Sequence, residues 1–97
     1  MKAYIAGKIT GDPNYRTKFQ SAAEQLKEKG LIIVSPATLT EGMNVADYMR
    51  ICFAMMDSVD IVAFLPDYTD SRGALLEHAW CQYVGKQTMY LSREDTP

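Results

Sequence analysis

The stretch D-I-V-A-F-L-P-D-Y-T-D-S-R-G-A-L-L-E-H-A, residues 60–79, decides how this chain folds. Its first half is a continuous apolar run stopped by Pro66, without the polar residue at every second position that a half-solvated strand carries. A strand of this kind is buried on both faces, which is the habit of parallel sheets covered by helices. The second half predicts a turn over Asp67 to Asp70 and then a helix over residues 71–85. Ser71 is its N-cap and Gly85 its stop.

Similar units flank this one. The run A-Y-I-A ends at Gly7, and the loop K-I-T-G-D-P leads to a helix for which Asp12 is the expected N-cap and Pro13 the first helical residue. Tyr15, Phe19, Ala22, Ala23 and Leu26 recur there at helical spacing, and Gly30 ends the pattern. L-I-I-V-S, residues 31–35, reads as a buried strand closed by Pro36. A-T-L-T-E-G-M is loop, residues 45–57 are helix, and T-M-Y-L is a last strand before a polar tail. The order β-α-β-α-β-α-β predicts an α/β fold with a doubly wound, flavodoxin-like or Rossmann-like sheet of four parallel strands and helices on both faces. Ligands of such sheets bind beyond the carboxyl ends of the strands, where residues 7–13, 35–43 and 66–73 would meet.

Composition narrows the function. A chain of 97 residues is expected to form one domain, residues 1–97, and to bury about 60–65% of its unfolded surface. With 47% hydrophobic and 23% charged residues it reads as a soluble globular protein. No apolar run approaches the ~18 residues of a membrane helix, and M-K-A-Y-I-A-G-K is too short for a signal peptide, so a cytoplasmic location is expected. A net charge of -2 with scattered Lys and Arg argues against long nucleic acid as a partner and leaves room for a small anionic ligand. Cys52 and Cys81 lack metal-ligand spacing; reduced thiols are expected, with no metal, disulfide or cofactor.

Several residues offer chemistry. Ser71 and the free amides of Arg72, Gly73 and Ala74 can hold a phosphate or sugar oxygen, and Gly73 lets a ligand approach the backbone. The same residues also describe a capped helix with no ligand. Glu77, set among Leu75, Leu76, Ala79 and Trp80, is either an ordinary solvated carboxylate or one turned inward. The first loop has neither G-x-x-x-x-G-K-[ST] nor G-x-G-x-x-G spacing, which argues against nucleoside triphosphate hydrolysis. It supplies Gly7 for close approach, Lys8 as a mobile or merely solvated cation, and Thr10 as a hydroxyl. Met49, Met55 and Met56 with Phe53 read as core or dimer contacts.

Y-I-A-G-K-I-T-G, D-Y-M-R-I-C-F-A-M-M-D-S-V-D-I-V and L-P-D-Y-T-D-S-R-G-A-L-L-E-H-A together resemble the nucleoside 2-deoxyribosyltransferase superfamily. The likeness runs from Met1 to about Leu91 and is nearest to the short, often phage-borne branch labelled a domain of unknown function. The resemblance implies binding of a nucleoside or nucleoside 5'-phosphate and attack on its N-glycosidic bond. It makes Glu77 the nucleophile, Tyr4 the tyrosine touching it, and Ser71 a phosphate-binding serine, with Gly7, Lys8, Arg72 and Gly73 beside the substrate. It also implies a homodimer or larger ring. Two positions depart from the pattern: Lys8 stands where the family commonly has proline, and Cys52, eight residues before Asp60, where catalytic members carry an aspartate. His78 follows Glu77 by one position and so points about 100° away around the helix. The expected function is an N-glycosidase or deoxyribosyltransferase. The alternatives are a nucleotide-binding protein impaired in chemistry and an interaction domain with a vestigial pocket.

Overall fold

The structure, a computed structural model, describes residues 1–92. Four strands, β1 (Lys2–Ala6), β2 (Ile32–Val34), β3 (Ile61–Phe64) and β4 (Gln87–Tyr90), alternate with three helices, α1 (Tyr15–Glu28), α2 (Val45–Asp57) and α3 (Arg72–Val84). The strands form one parallel sheet in the order β2-β1-β3-β4. Strand order reverses between β1 and β3, which pair from Ala3↔Ile61 to Ala6↔Phe64. This is the doubly wound fold expected from the apolar runs.

Alternation along the two central strands divides the core. Tyr4, Ala6, Val62 and Phe64 point to one face, where they pack with Cys52 and Met56 of α2 and Cys81 of α3. Ile5, Ala63 and Leu65 point to the other and meet Phe19, Ala22, Ala23 and Leu26 of α1. β1 beyond Lys2 and all of β3 are buried, because each has a strand on both sides and helices above and below. β2 corrects the expectation of a buried strand: it lies at the sheet edge, with Ile32 exposed and Ile33 and Val34 half-buried.

Other differences are local. α1 begins at Tyr15 with Asn14 as its cap residue, not at Pro13 behind Asp12. The Asp12 carboxylate accepts the Asn14 amide at 2.9 Å and an ammonium proton from Lys18, so a turn occupies residues 12–14 before the helix. Short 3-10 turns cover Pro36–Thr38 and Pro66–Asp70. β4 is Gln87–Tyr90, one residue earlier than T-M-Y-L, and the tail beyond Ser92 lies outside the described residues. α3 is one residue shorter at each end than 71–85: Ser71 is its N-cap and left-handed Gly85 (φ 75°) its C-cap.

Candidate functional site

Two local choices aim α3 at the carboxyl edge of the sheet. Pro66 ends β3 and opens the 3-10 turn, and Ser71 Oγ then accepts the Ala74 amide at 3.2 Å. On α3 the buried residues Ala74, Glu77 and Cys81 fall at spacings of three and four, forming the stripe that faces the sheet. Leu75 and Leu76, which hydrophobicity alone would bury, are exposed.

Glu77 is therefore an inward carboxylate, 5% exposed. Tyr4 on β1, fully buried, donates its hydroxyl proton to Glu77 Oε2 at 2.6 Å. Burial pushes the Glu77 carboxyl up to about 7, against the opposing hydrogen bond from Tyr4. Burial first, and then the charge of Glu77, hold the Tyr4 phenol well above its usual range. Cys52 stands behind this pair, its thiol raised to about 11 by burial despite hydrogen bonding to Tyr4 and Tyr48. The Tyr48 phenol is raised too, mainly by burial.

The pair lies at a cleft of about 640 Å³, within the size range of small-molecule sites. Tyr4 and Glu77 line it together with Gly7 and Lys8 of the first loop and Ser71, Arg72 and Gly73 at the start of α3. The seven residues that the resemblance sets at or beside the substrate thus line one cleft, whereas Cys52 and His78 are not part of its lining. Thr10, Pro36, Tyr48, Met49 and Leu76 complete much of the wall. The sequence reading missed Tyr48 and Leu76, and it assigned Met49 to core or dimer contact; the signal for α2 was the four-residue spacing that puts Val45 beside Met49 and Tyr48 beside Cys52. A smaller hollow of about 240 Å³ adjoins the cleft through Ile9, Thr10, Pro36 and Tyr48.

The two glycines play different parts. A Cβ on Gly7 would come within 2.6 Å of Leu65 Cδ1 and 2.9 Å of Leu65 Cβ, so the loop needs glycine to cross the end of β3. A Cβ on Gly73 would meet nothing closer than Met49 Sδ at 3.5 Å, so its bare backbone is open to the cleft.

Lys18 of α1 fixes the first loop. Its ammonium donates to Lys8 O at 2.9 Å and to the carboxylates of Asp12 and Asp67. Asp67 in turn accepts the Lys8 amide at 3.1 Å. His78 faces elsewhere: its Nε2 shares a 2.7 Å hydrogen bond with the Tyr90 hydroxyl, and its ring packs against Phe64 and Tyr68. Among the described residues, no group of His, Cys, Asp and Glu could hold a metal ion, and no helix is long and apolar enough to cross a membrane.

Fold and cleft together define a doubly wound α/β protein with a buried carboxylate at the switch point of its sheet. Residues 1–90 match the family described as Domain of unknown function (DUF4406), and the chain belongs to that family. Among solved structures it is similar to the 2-deoxyribosyltransferase of the psychrotolerant bacterium Bacillus psychrosaccharolyticus, with a TM-score of 0.71 and 18% identity, covering 93% of this chain and 71% of that one. At that identity the likeness speaks for the fold. No curated protein matches the sequence.

Proposed function

We propose that the chain acts on the N-glycosidic bond of a nucleoside 5'-monophosphate or nucleoside, as a glycosidase or 2-deoxyribosyltransferase. The observation that carries this reading is the buried Glu77, held at 2.6 Å by Tyr4 in a cleft whose rim is the N-terminus of α3. The Ala74 amide, expected to be free, is taken up by Ser71 Oγ, so the amides of Arg72 and Gly73, with the side chains of Arg72 and Lys8, form an anion seat suited to a 5'-phosphate. The sugar then lies over Glu77. Its carboxylate attacks the anomeric carbon as the base leaves through an oxocarbenium-like state, and water or a second base releases the sugar. Tyr4 keeps one carboxylate oxygen fixed so that the other faces the ligand. Of Trp80 and Tyr83, the α3 residues suited to face a partner subunit, Trp80 packs on Phe53 and Tyr83 is exposed, which leaves Tyr83 open to the homo-oligomer that belongs to this reading.

The test is incubation with nucleosides and their 5'-monophosphates, followed by chromatography for free base. At least one substrate should release its base, and Glu77→Ala should abolish that release. Because only the ionised carboxylate attacks, kcat/KM should climb with pH through about 7, the range to which burial lifts Glu77.

A second reading, binding without turnover, is favoured by Cys52. Its thiol, at about 11, is poorly matched to protonating a departing base. On this reading nucleotides bind and remain intact, while Lys8→Ala and Ser71→Ala each weaken binding at least about tenfold, roughly 1.4 kcal/mol. Unchanged affinity in both variants rejects it.

A further inference from the structure

A purine or pyrimidine expelled from a sugar carries away an electron pair and needs a proton, and a positioned donor is worth ~10²- to 10⁴-fold. Around Glu77 the described donors suit that task badly. Tyr4 is engaged by Glu77, and Tyr4, Tyr48, Cys52 and Cys81 all hold their protons more firmly than usual, chiefly through burial. Asp70 and Arg72 flank Ser71 at the helix end, where the anion seat lies. His78 is turned to Tyr90. Glu77 cannot be nucleophile and acid in one step.

A second observation concerns charge. Glu77 is buried against a neutral phenol, and among the described residues no cation pairs with it. A carboxylate so placed is costly to ionise, and a positive group in the ligand would relieve that cost. Tyr48 and Met49 also line the cleft and supply an aromatic ring and a polarizable thioether, groups of the kind that receive a flat cation.

We propose that the preferred ligand is an N-glycoside whose base is a cationic ring, a pyridinium ribonucleoside 5'-phosphate. This rests on the reading of Glu77 as the group that attacks the anomeric carbon. The C1'–N bond breaks with its electron pair passing to the ring nitrogen, so the pyridinium departs as a neutral pyridine and no proton is needed. A Glu77 oxygen forms a bond to C1'. Water then adds to C1', the C1'–O bond to Glu77 returns its pair to the carboxylate, and the proton lost by the water passes to solvent. The cationic ring also holds Glu77 ionised, so binding near pH 7 expels a proton from the free protein.

The experiment compares nicotinamide mononucleotide with its dihydro form, which has nearly the same shape and an uncharged ring, alongside common nucleoside 5'-monophosphates. Calorimetry in two buffers of different ionisation enthalpy reads affinity and proton release, and chromatography reads free base. The oxidised form should bind at least tenfold tighter than the dihydro form, release a proton, and yield nicotinamide. Glu77→Gln should erase the preference and the proton release while the dihydro form still binds. Equal affinity for the two forms, or faster base release from an uncharged nucleotide, overturns the inference. If common monophosphates are cleaved and the pyridinium is ignored, only this inference falls. If no nucleotide binds at all, the reading of the cleft falls with it.

Discussion

The two faces of the sheet are built to different ends. The α1 face is sealed by Ile5, Phe19, Ala22, Leu26, Ala63 and Leu65, an apolar surface with no titratable side chain in its buried cluster. The opposite face, under α2 and α3, holds Tyr4, Cys52 and Cys81 in its cluster, with Glu77 bonded to Tyr4. Adjacent residues of one strand, Tyr4 and Ile5, serve these opposed purposes because successive side chains alternate across a sheet. One face secures the fold, and the other keeps a carboxylate where burial makes it costly. That division agrees with the general finding that local rules are broken at functional sites and upheld elsewhere.

The contrast should break most visibly on the sealed side. Phe19→Ala removes a fully buried ring and should cost about 3–5 kcal/mol in denaturant unfolding, with the remaining folded protein keeping its ligand affinity. On the other face the sign should reverse. The Glu77 carboxyl is raised when folded, so the native chain holds a proton that the unfolded chain has lost between about 4.5 and about 7. Stability from this group is therefore full below that window, falls as pH rises through it, and stays reduced above it. Glu77→Gln should accordingly be more stable than the parent at pH 8, by up to about 3 kcal/mol, and show little difference near pH 4. A parent-variant gap independent of pH would remove the claim that Glu77 is buried at a cost.

Smaller effects sharpen the comparison at the loops. Gly7→Ala drives a Cβ into Leu65 of the sealed face and should lower stability by about 1–3 kcal/mol. Gly73→Ala has room and a better helix former, so its melting temperature should stay level or rise slightly. Its ligand affinity should fall, since the added methyl stands in the cleft. If Gly73→Ala binds nucleotides as well as the parent does, the anion seat is misplaced.

Much of the architecture was legible in the sequence because β1 and β3 are buried on both faces and so carry uninterrupted apolar runs. β2 was misjudged because an edge strand of an apolar composition reads like a central one. The start of α1 was misjudged for a different reason: Asp-Pro is a sound helix opening locally, but Lys18, one helical turn further on, claims the Asp12 carboxylate. At the cleft, Glu77 stood out as a charge in an apolar neighbourhood. Tyr48 did not, because a tyrosine on an amphipathic helix looks the same whether it faces a core or a hollow. The exposure of Leu75 and Leu76 was likewise invisible, since only the packed sheet determines which stripe of α3 turns inward.

The single ammonium of Lys18 joins three oxygens drawn from two separate loops, at residues 8, 12 and 67. Neither loop can change length without moving an oxygen that the other relies on. Insertions that would reshape one of these adjoining segments are thus constrained by the other, and changes of length here should come as paired changes in both.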